Sequence, residues 1–123
     1  MPEPITLVTV PQFERNLAHP VGTDKSFRIT VRNLDGVTPT NITSWTMSFV
    51  IHAYGDPNIV FVTKTVGSGI TITAGTGGEL TVTVSASDVS AILPGEFNWK
   101  LERIAPDSST FVIGKGNYSM IAK

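Results

Sequence analysis

Apolar and polar side chains alternate along residues 43–52, Thr-Ser-Trp-Thr-Met-Ser-Phe-Val-Ile-His. The apolar positions of this stretch are Trp45, Met47, Phe49 and Ile51. Because successive residues of a strand point to opposite faces, the pattern predicts a strand with one large apolar face. A single strand cannot bury such a face, so a second layer must cover it. We therefore expect a β-sandwich with Trp45 near its centre.

The same period of two recurs along the rest of the chain, between turn signals rich in glycine, proline and aspartate. It predicts further strands over residues 5–10, 25–33, 59–66, 70–73, 79–84, 97–102 and 110–121. Two glycines, Gly114 and Gly116, indicate a bulge in the last strand. Residues 11–24 lack periodicity, and we interpret them as an extended arm or long loop.

One segment follows a helical pattern. Ser85 and Asp88 are spaced as in a capping box, Val89 and Leu93 continue at helical spacing, and a Pro-Gly pair follows. This predicts about two turns of helix before the penultimate strand.

Seven or eight short strands with one short helix are typical of an antiparallel β-sandwich of immunoglobulin-like type. A jelly roll is the alternative, since it also has two sheets of short strands. We expect residues 1–24 to form an N-terminal strand and arm, and residues 25–123 the sandwich domain.

Four aromatic side chains are the predicted core anchors: Trp45, Phe49, Phe97 and Trp99. Phe97 or Trp99 is expected to meet Trp45 from the opposite sheet. Trp45→Ala should then cost about 3–5 kcal/mol through the cavity that it leaves.

Composition excludes several kinds of site. The 123 residues include no cysteine, so disulfides, thiolate catalysis and zinc–thiolate sites are absent. A net charge of -1 supplies no field to attract nucleic acid or an acidic membrane. We expect no secretory signal and no membrane-spanning segment, because no apolar run is long enough.

The candidate chemistry is sparse. His19 and His52 have no nearby carboxylate at a ligand spacing, and the glycine cluster at residues 75–78 precedes no helix that could bind a phosphate. We therefore expect no metal, no cofactor and no enzymatic activity. The residues predicted to contact a partner lie in the arm and in the apolar run at 59–62, and are Phe13, Arg15, Leu17, His19, Val60 and Val62.

Several segments together resemble a known family. They are residues 43–49 (TSWTMSF), 70–73 (ITIT), 80–85 (LTVTVS) with Asp88, and 93–103 (LPGEFNWKLER). This pattern resembles the N-terminal immunoglobulin-like domain of phage upper baseplate proteins, over roughly residues 26–121. The resemblance implies a non-enzymatic virion protein, assembled in the host cytoplasm, that decorates or joins capsid, neck, portal or tail and baseplate components.

Two further expectations concern partners. Virion assembly favours symmetric contacts, so we expect a homo-oligomer. The alternative function is a carbohydrate-binding or host-adhesion module, in which an exposed aromatic residue such as Tyr54 or Tyr118 would stack on a sugar.

Overall fold

A computed structural model of the chain describes residues 3–8, 13–14, 16–32, 41–89, 92–104 and 110–122. These residues form an all-β fold, as the alternating pattern predicts. Its ten strands are β1 (Glu3–Val8), β2 (Phe13–Glu14), β3 (Leu17–Pro20), β4 (Lys25–Arg32), β5 (Thr46–Ala53), β6 (Asp56–Val66), β7 (Gly69–Ala74), β8 (Glu79–Val84), β9 (Gly95–Ile104) and β10 (Thr110–Ile121).

The strands form one curled sheet in the order β1-β4-β8-β7-β6-β5-β9-β10-β2, and β3 also pairs with β10. β1 and β10 contact each other, so the sheet nearly closes into a barrel. Four of the described pairings are parallel: β1–β4, β2–β10, β3–β10 and β6–β7. The other five are antiparallel. The expectation of a purely antiparallel arrangement is therefore wrong, and the sheet is mixed.

The centre of the core lies under β5 and β9, which are neighbouring antiparallel strands. Ile51 pairs with Trp99 and Phe49 with Leu101. All four of these side chains are fully buried. The rings of Phe49 and Trp99 stack with their centroids 5.6 Å apart. Phe49 and Trp99 thus lie at the centre of the core, on adjacent strands.

Trp45 and Phe97 lie at the margins of this core, where both are only partly buried. Trp45 directly precedes β5, so it lies outside the paired part of the strand, which begins at Thr46. The guanidinium of Arg103 covers its ring, with the carbon Cζ 4.3 Å from the ring centroid. The prediction that Trp45 is the central anchor is wrong; Trp99 has that position.

The first 24 residues contribute strands to the same sheet. β1 runs parallel to β4, and β3 runs parallel to β10, pairing Leu17 with Tyr118 and His19 with Met120. The hydrogen bond from Val21 N to Ile121 O extends that pairing. The described part of the predicted arm is therefore integrated into the sheet.

The capping-box residues make the reciprocal bonds that the sequence predicts. Ser85 N donates to Asp88 Oδ2 at 2.7 Å, and Asp88 N donates to Ser85 Oγ at 3.2 Å. The bonds that follow run three residues apart, from Val89 N to Ala86 O and from Ile92 N to Val89 O. Residues 86–89 accordingly form turns and not an α-helix, and residues 90–91 lie outside the described ranges. The predicted two-turn helix is not seen in the described residues.

The predicted irregularity in the last strand is present. The register of β10 against β9 shifts between Val112 and Gly114. The strand continues through Gly116, which pairs with Trp99. Ile113 has no partner on β9, so the bulge lies directly beside Gly114, as the low strand propensity of glycine leads one to expect.

Candidate functional site: an exposed apolar patch on β6

β6 leaves much of its outer edge open. One side of the strand pairs with β5, and the other makes only a two-residue parallel pairing with β7, at Thr65 and Val66. Within the described ranges, no second strand pairs with residues 56–64. Unpaired strand edges attract other strands, and natural proteins usually blunt them with charged side chains or cover them.

Three consecutive apolar side chains on β6 are exposed: Ile59, Val60 and Phe61 have 50%, 48% and 46% of their surface open. Irregular pairing with β5 causes this. Val62 lies opposite Ile51 and Val60 opposite His52, so Phe61 has no counterpart. Residues 57–59 likewise have none, since the next pair joins residues 53 and 56. The bulges break the alternation that would otherwise turn every second side chain inward.

Two aromatic residues extend this surface. Tyr54, in the turn before β6, is 65% exposed. Phe97 is half-buried and meets Phe61 edge to face, with ring centroids 5.2 Å apart. We call this surface the β6 patch; it consists of Tyr54, Ile59, Val60, Phe61 and Phe97.

The β6 patch carries no charged side chain, because residues 57–63 are all uncharged. Asp56 and Lys64 flank the strand segment. Lys64 is occupied by an ion pair with Asp88, whose Oδ2 lies 2.7 Å from Nζ. An uncharged aromatic and aliphatic surface with charges at its rim is typical of protein–protein contacts.

The Asp88 carboxylate is held in its charged form. Desolvation acts to raise its pKa, but the hydrogen bonds from Lys64 and from the backbone and hydroxyl of Ser85 outweigh it. The net effect lowers the pKa of Asp88 from 3.8. The carboxylate therefore ties the end of β6 to the turn after β8.

The residues predicted to contact a partner fall in different places. Val60 lies in the β6 patch, whereas Val62 faces the core and is only 6% exposed. Leu17 and His19 are buried within the chain itself, so they form no free surface. The backbone of Phe13 pairs with Gly114, and nothing is described of its side chain. Arg15 lies outside the described residues.

His19 belongs to a buried hydrogen-bond network. Its Nε2 lies 2.5 Å from the carbonyl oxygen of Thr23, which can only accept, so Nε2 carries the proton. Nδ1 then accepts from the hydroxyl of Tyr118 at 2.7 Å. Both side chains are fully buried, so Tyr118 cannot stack on a sugar, whereas Tyr54, the other aromatic residue considered for that role, is exposed.

The other polar side chains do not converge on a reactive centre in the described part of the chain. His52 is nearly buried and donates from Nδ1 to the carbonyl of Ala53 at 2.9 Å. Among the described residues, no group of three or more His, Asp or Glu side chains could hold a metal ion. Within the same ranges, no helix has the length and apolar character needed to cross a membrane.

Most of the β6 patch was missed by reasoning from periodicity. The continuous apolar run at residues 59–62 indicates either burial on both sides or a face given to a partner, and so pointed to Val60. It could not locate the bulges, which depend on pairing with β5. Nor could it show that Phe97 meets Phe61.

The likeness of this chain to known proteins is one of fold. No protein-family model matches the chain, and no curated protein matches its sequence. Among solved structures, the N-terminal domain of phage TP901-1 ORF48 is similar, with a TM-score of 0.63, 15% identity and coverage of 98% of both chains. A structure of murine CRIg has a TM-score of 0.42 at 4% identity, over 88% of this chain and 92% of that one. The first comparison shows a shared fold along nearly the whole chain.

Proposed function

We propose that this chain is a non-enzymatic structural protein of a bacteriophage virion, which joins or decorates other virion components through protein–protein contacts. The observation that carries the proposal is the β6 patch, an uncharged apolar surface beside an open strand edge. Its three consecutive exposed apolar residues would be costly to leave in water unless a partner covers them.

The fold supports a phage context for that contact. Its likeness to a phage protein domain extends over 98% of both chains. We further propose that the strand order is of immunoglobulin-like type. β4, β8 and β7 lie on one side of the order and β6, β5, β9 and β10 on the other. Among the described residues, the two-residue β6–β7 pairing is the one ladder that joins the two groups. In this proposal the sheet is the scaffold and β6 presents the contact.

The proposal is tested in particles of the phage that encodes the chain, purified on a density gradient. Quantitative mass spectrometry should find the chain at a fixed ratio to the major capsid protein, independent of preparation. A chain that is abundant in the infected lysate but absent from purified particles would contradict the virion role.

A matched pair of variants tests the contact surface in the same particles. Val60→Lys places a charge in the β6 patch, whereas Thr71→Lys places it on an exposed position of β7. Burying an unpaired charge costs more than about 1.4 kcal/mol, so Val60→Lys should weaken the contact at least about tenfold and lower the copy number. Thr71→Lys should leave it unchanged, and equal incorporation of both variants would remove the β6 patch from the proposal.

A further inference from the structure

A cleft at the other end of the central strands is separate from the β6 patch. It has a volume of ≈ 650 Å³, which is within the range of small-molecule sites. Its walls come from the loop before β5, the first residue of β5 and the end of β9, and are Asn41, Thr43, Ser44, Trp45, Thr46, Arg103 and Ile104.

Among the described residues that line the cleft, Arg103 alone is charged. Its guanidinium lies over the ring of Trp45, with Cζ 4.3 Å from the ring centroid, and this contact holds the group in the wall of the cleft. A stacked guanidinium directs its N–H groups outward in that plane, where they match the two oxygens of a carboxylate.

The Nε of Arg103 is buried and has no hydrogen-bond partner in the described part of the chain. Leaving a buried donor unsatisfied costs about 1–3 kcal/mol, and folded proteins rarely do so without a reason. Because Nε is closed to solvent, a ligand in the cleft would bond the terminal nitrogens of the guanidinium. The described residues of the lining include no aspartate or glutamate.

The rest of the rim offers uncharged hydrogen-bonding groups. Asn41, Thr43, Ser44 and Thr46 are all exposed. Thr43 donates to Asn41 Oδ1 from both its backbone N–H, at 3.0 Å, and its hydroxyl, at 2.5 Å. These bonds orient the amide of Asn41 and leave its NH2 group as a donor. Hydroxyl and amide groups of this kind suit the hydroxyls of a sugar ring.

From this arrangement we propose that the cleft binds a saccharide unit that carries a carboxylate, such as a uronic acid. Arg103 pairs with the carboxylate, while Ser44, Thr46 and the amide of Asn41 bond the ring hydroxyls. The inference goes beyond the virion role, since it adds a contact with an acidic saccharide at a second surface. It stands or falls independently of that role.

Titration of the whole chain with D-glucuronate and with D-glucose, followed by amide NMR shifts, tests the proposal. Glucuronate should shift the amides of the cleft with a Kd of about 1 mM, and glucose should not. Arg103→Gln should weaken glucuronate binding at least about tenfold, whereas Arg28→Gln, which removes the same charge from an exposed site on β4, should have no effect. The absence of a saturable shift up to about 10 mM glucuronate would overturn the proposal.

Two further measurements separate the ligand sources and guard against a misfolded variant. Acetate and a glutamate-containing peptide should bind at least about tenfold more weakly than glucuronate, and equal binding would show a general carboxylate site and refute the saccharide. Ser44→Ala keeps Arg103 in place and should weaken glucuronate several-fold without changing acetate. If Ser44→Ala changes neither, the proposed contact with the ring is wrong.

Discussion

The two tryptophans of the chain provide a direct test of where the core is centred. Trp99 is fully buried and stacks on Phe49. Trp45 is only partly buried, at the end of β5, and is covered on one face by Arg103. Truncating each one to alanine should therefore lower the stability by unequal amounts, although both belong to the alternating stretches that predict the core.

The magnitudes follow from burial. Trp99→Ala should cost about 3–5 kcal/mol, the range for removing a large buried aromatic side chain. Trp45→Ala loses partial burial and a cation–π contact worth roughly 0.5–1 kcal/mol, so about 1–2 kcal/mol is expected in total. The loss of about 3–5 kcal/mol of stability that the sequence predicts for Trp45→Ala is therefore expected for Trp99→Ala.

Urea unfolding followed by far-UV circular dichroism measures both variants without relying on tryptophan fluorescence. Linear extrapolation gives the free energy of unfolding in water for each variant and the wild type. An equal loss for Trp45→Ala and Trp99→Ala would refute the placement of the core under β5 and β9.

Three further changes test other parts of the structure. Tyr118→Phe leaves the buried Nδ1 of His19 without a donor and should cost about 1–3 kcal/mol, a lowering of the Tm by roughly 4 °C per kcal/mol in a thermal melt. Asp88→Asn removes a carboxylate whose pKa is lowered from 3.8, so the wild type should exceed the variant by about 1 kcal/mol at neutral pH and lose this advantage as the pH falls below 3.8 in urea titrations. Gly69→Ala should cost about 1–3 kcal/mol in the same assay, because Gly69 has a φ of +100° and an added Cβ would overlap Cδ of Lys64.

The sequence predicts strands that carry a local alternating pattern, but it does not predict pairings between distant segments. β5 and β8 lie close to their expected bounds because half-buried strands preserve a period of two, and the turns between them carry glycine or aspartate. The parallel pairing of β3 with β10 has no local signal, since it joins residues about 100 positions apart in the chain. The sequence therefore predicts His19 as a partner contact in the arm, whereas its hydrogen-bond network buries it within the chain.

The candidate site shows the same division. Val60 was found because it belongs to a continuous apolar run, which is visible in the sequence. Val62, two residues on, faces the core because its partner on β5 is Ile51, and that register cannot be read from β6 alone. The capping box is present without its predicted helix, because the backbone hydrogen bonds that follow it join residues three apart, as in turns, and not four apart, as in an α-helix.

The contact through β6 is tested most directly by photo-crosslinking in intact particles. A benzophenone amino acid placed at Val60 lies within the β6 patch, and the same group placed at Thr71 lies on an exposed position of β7. The proposed role predicts that irradiation of purified virions joins the position-60 variant to one defined virion protein and leaves the position-71 variant uncrosslinked. Incorporation of both variants with no crosslink from position 60 would contradict it.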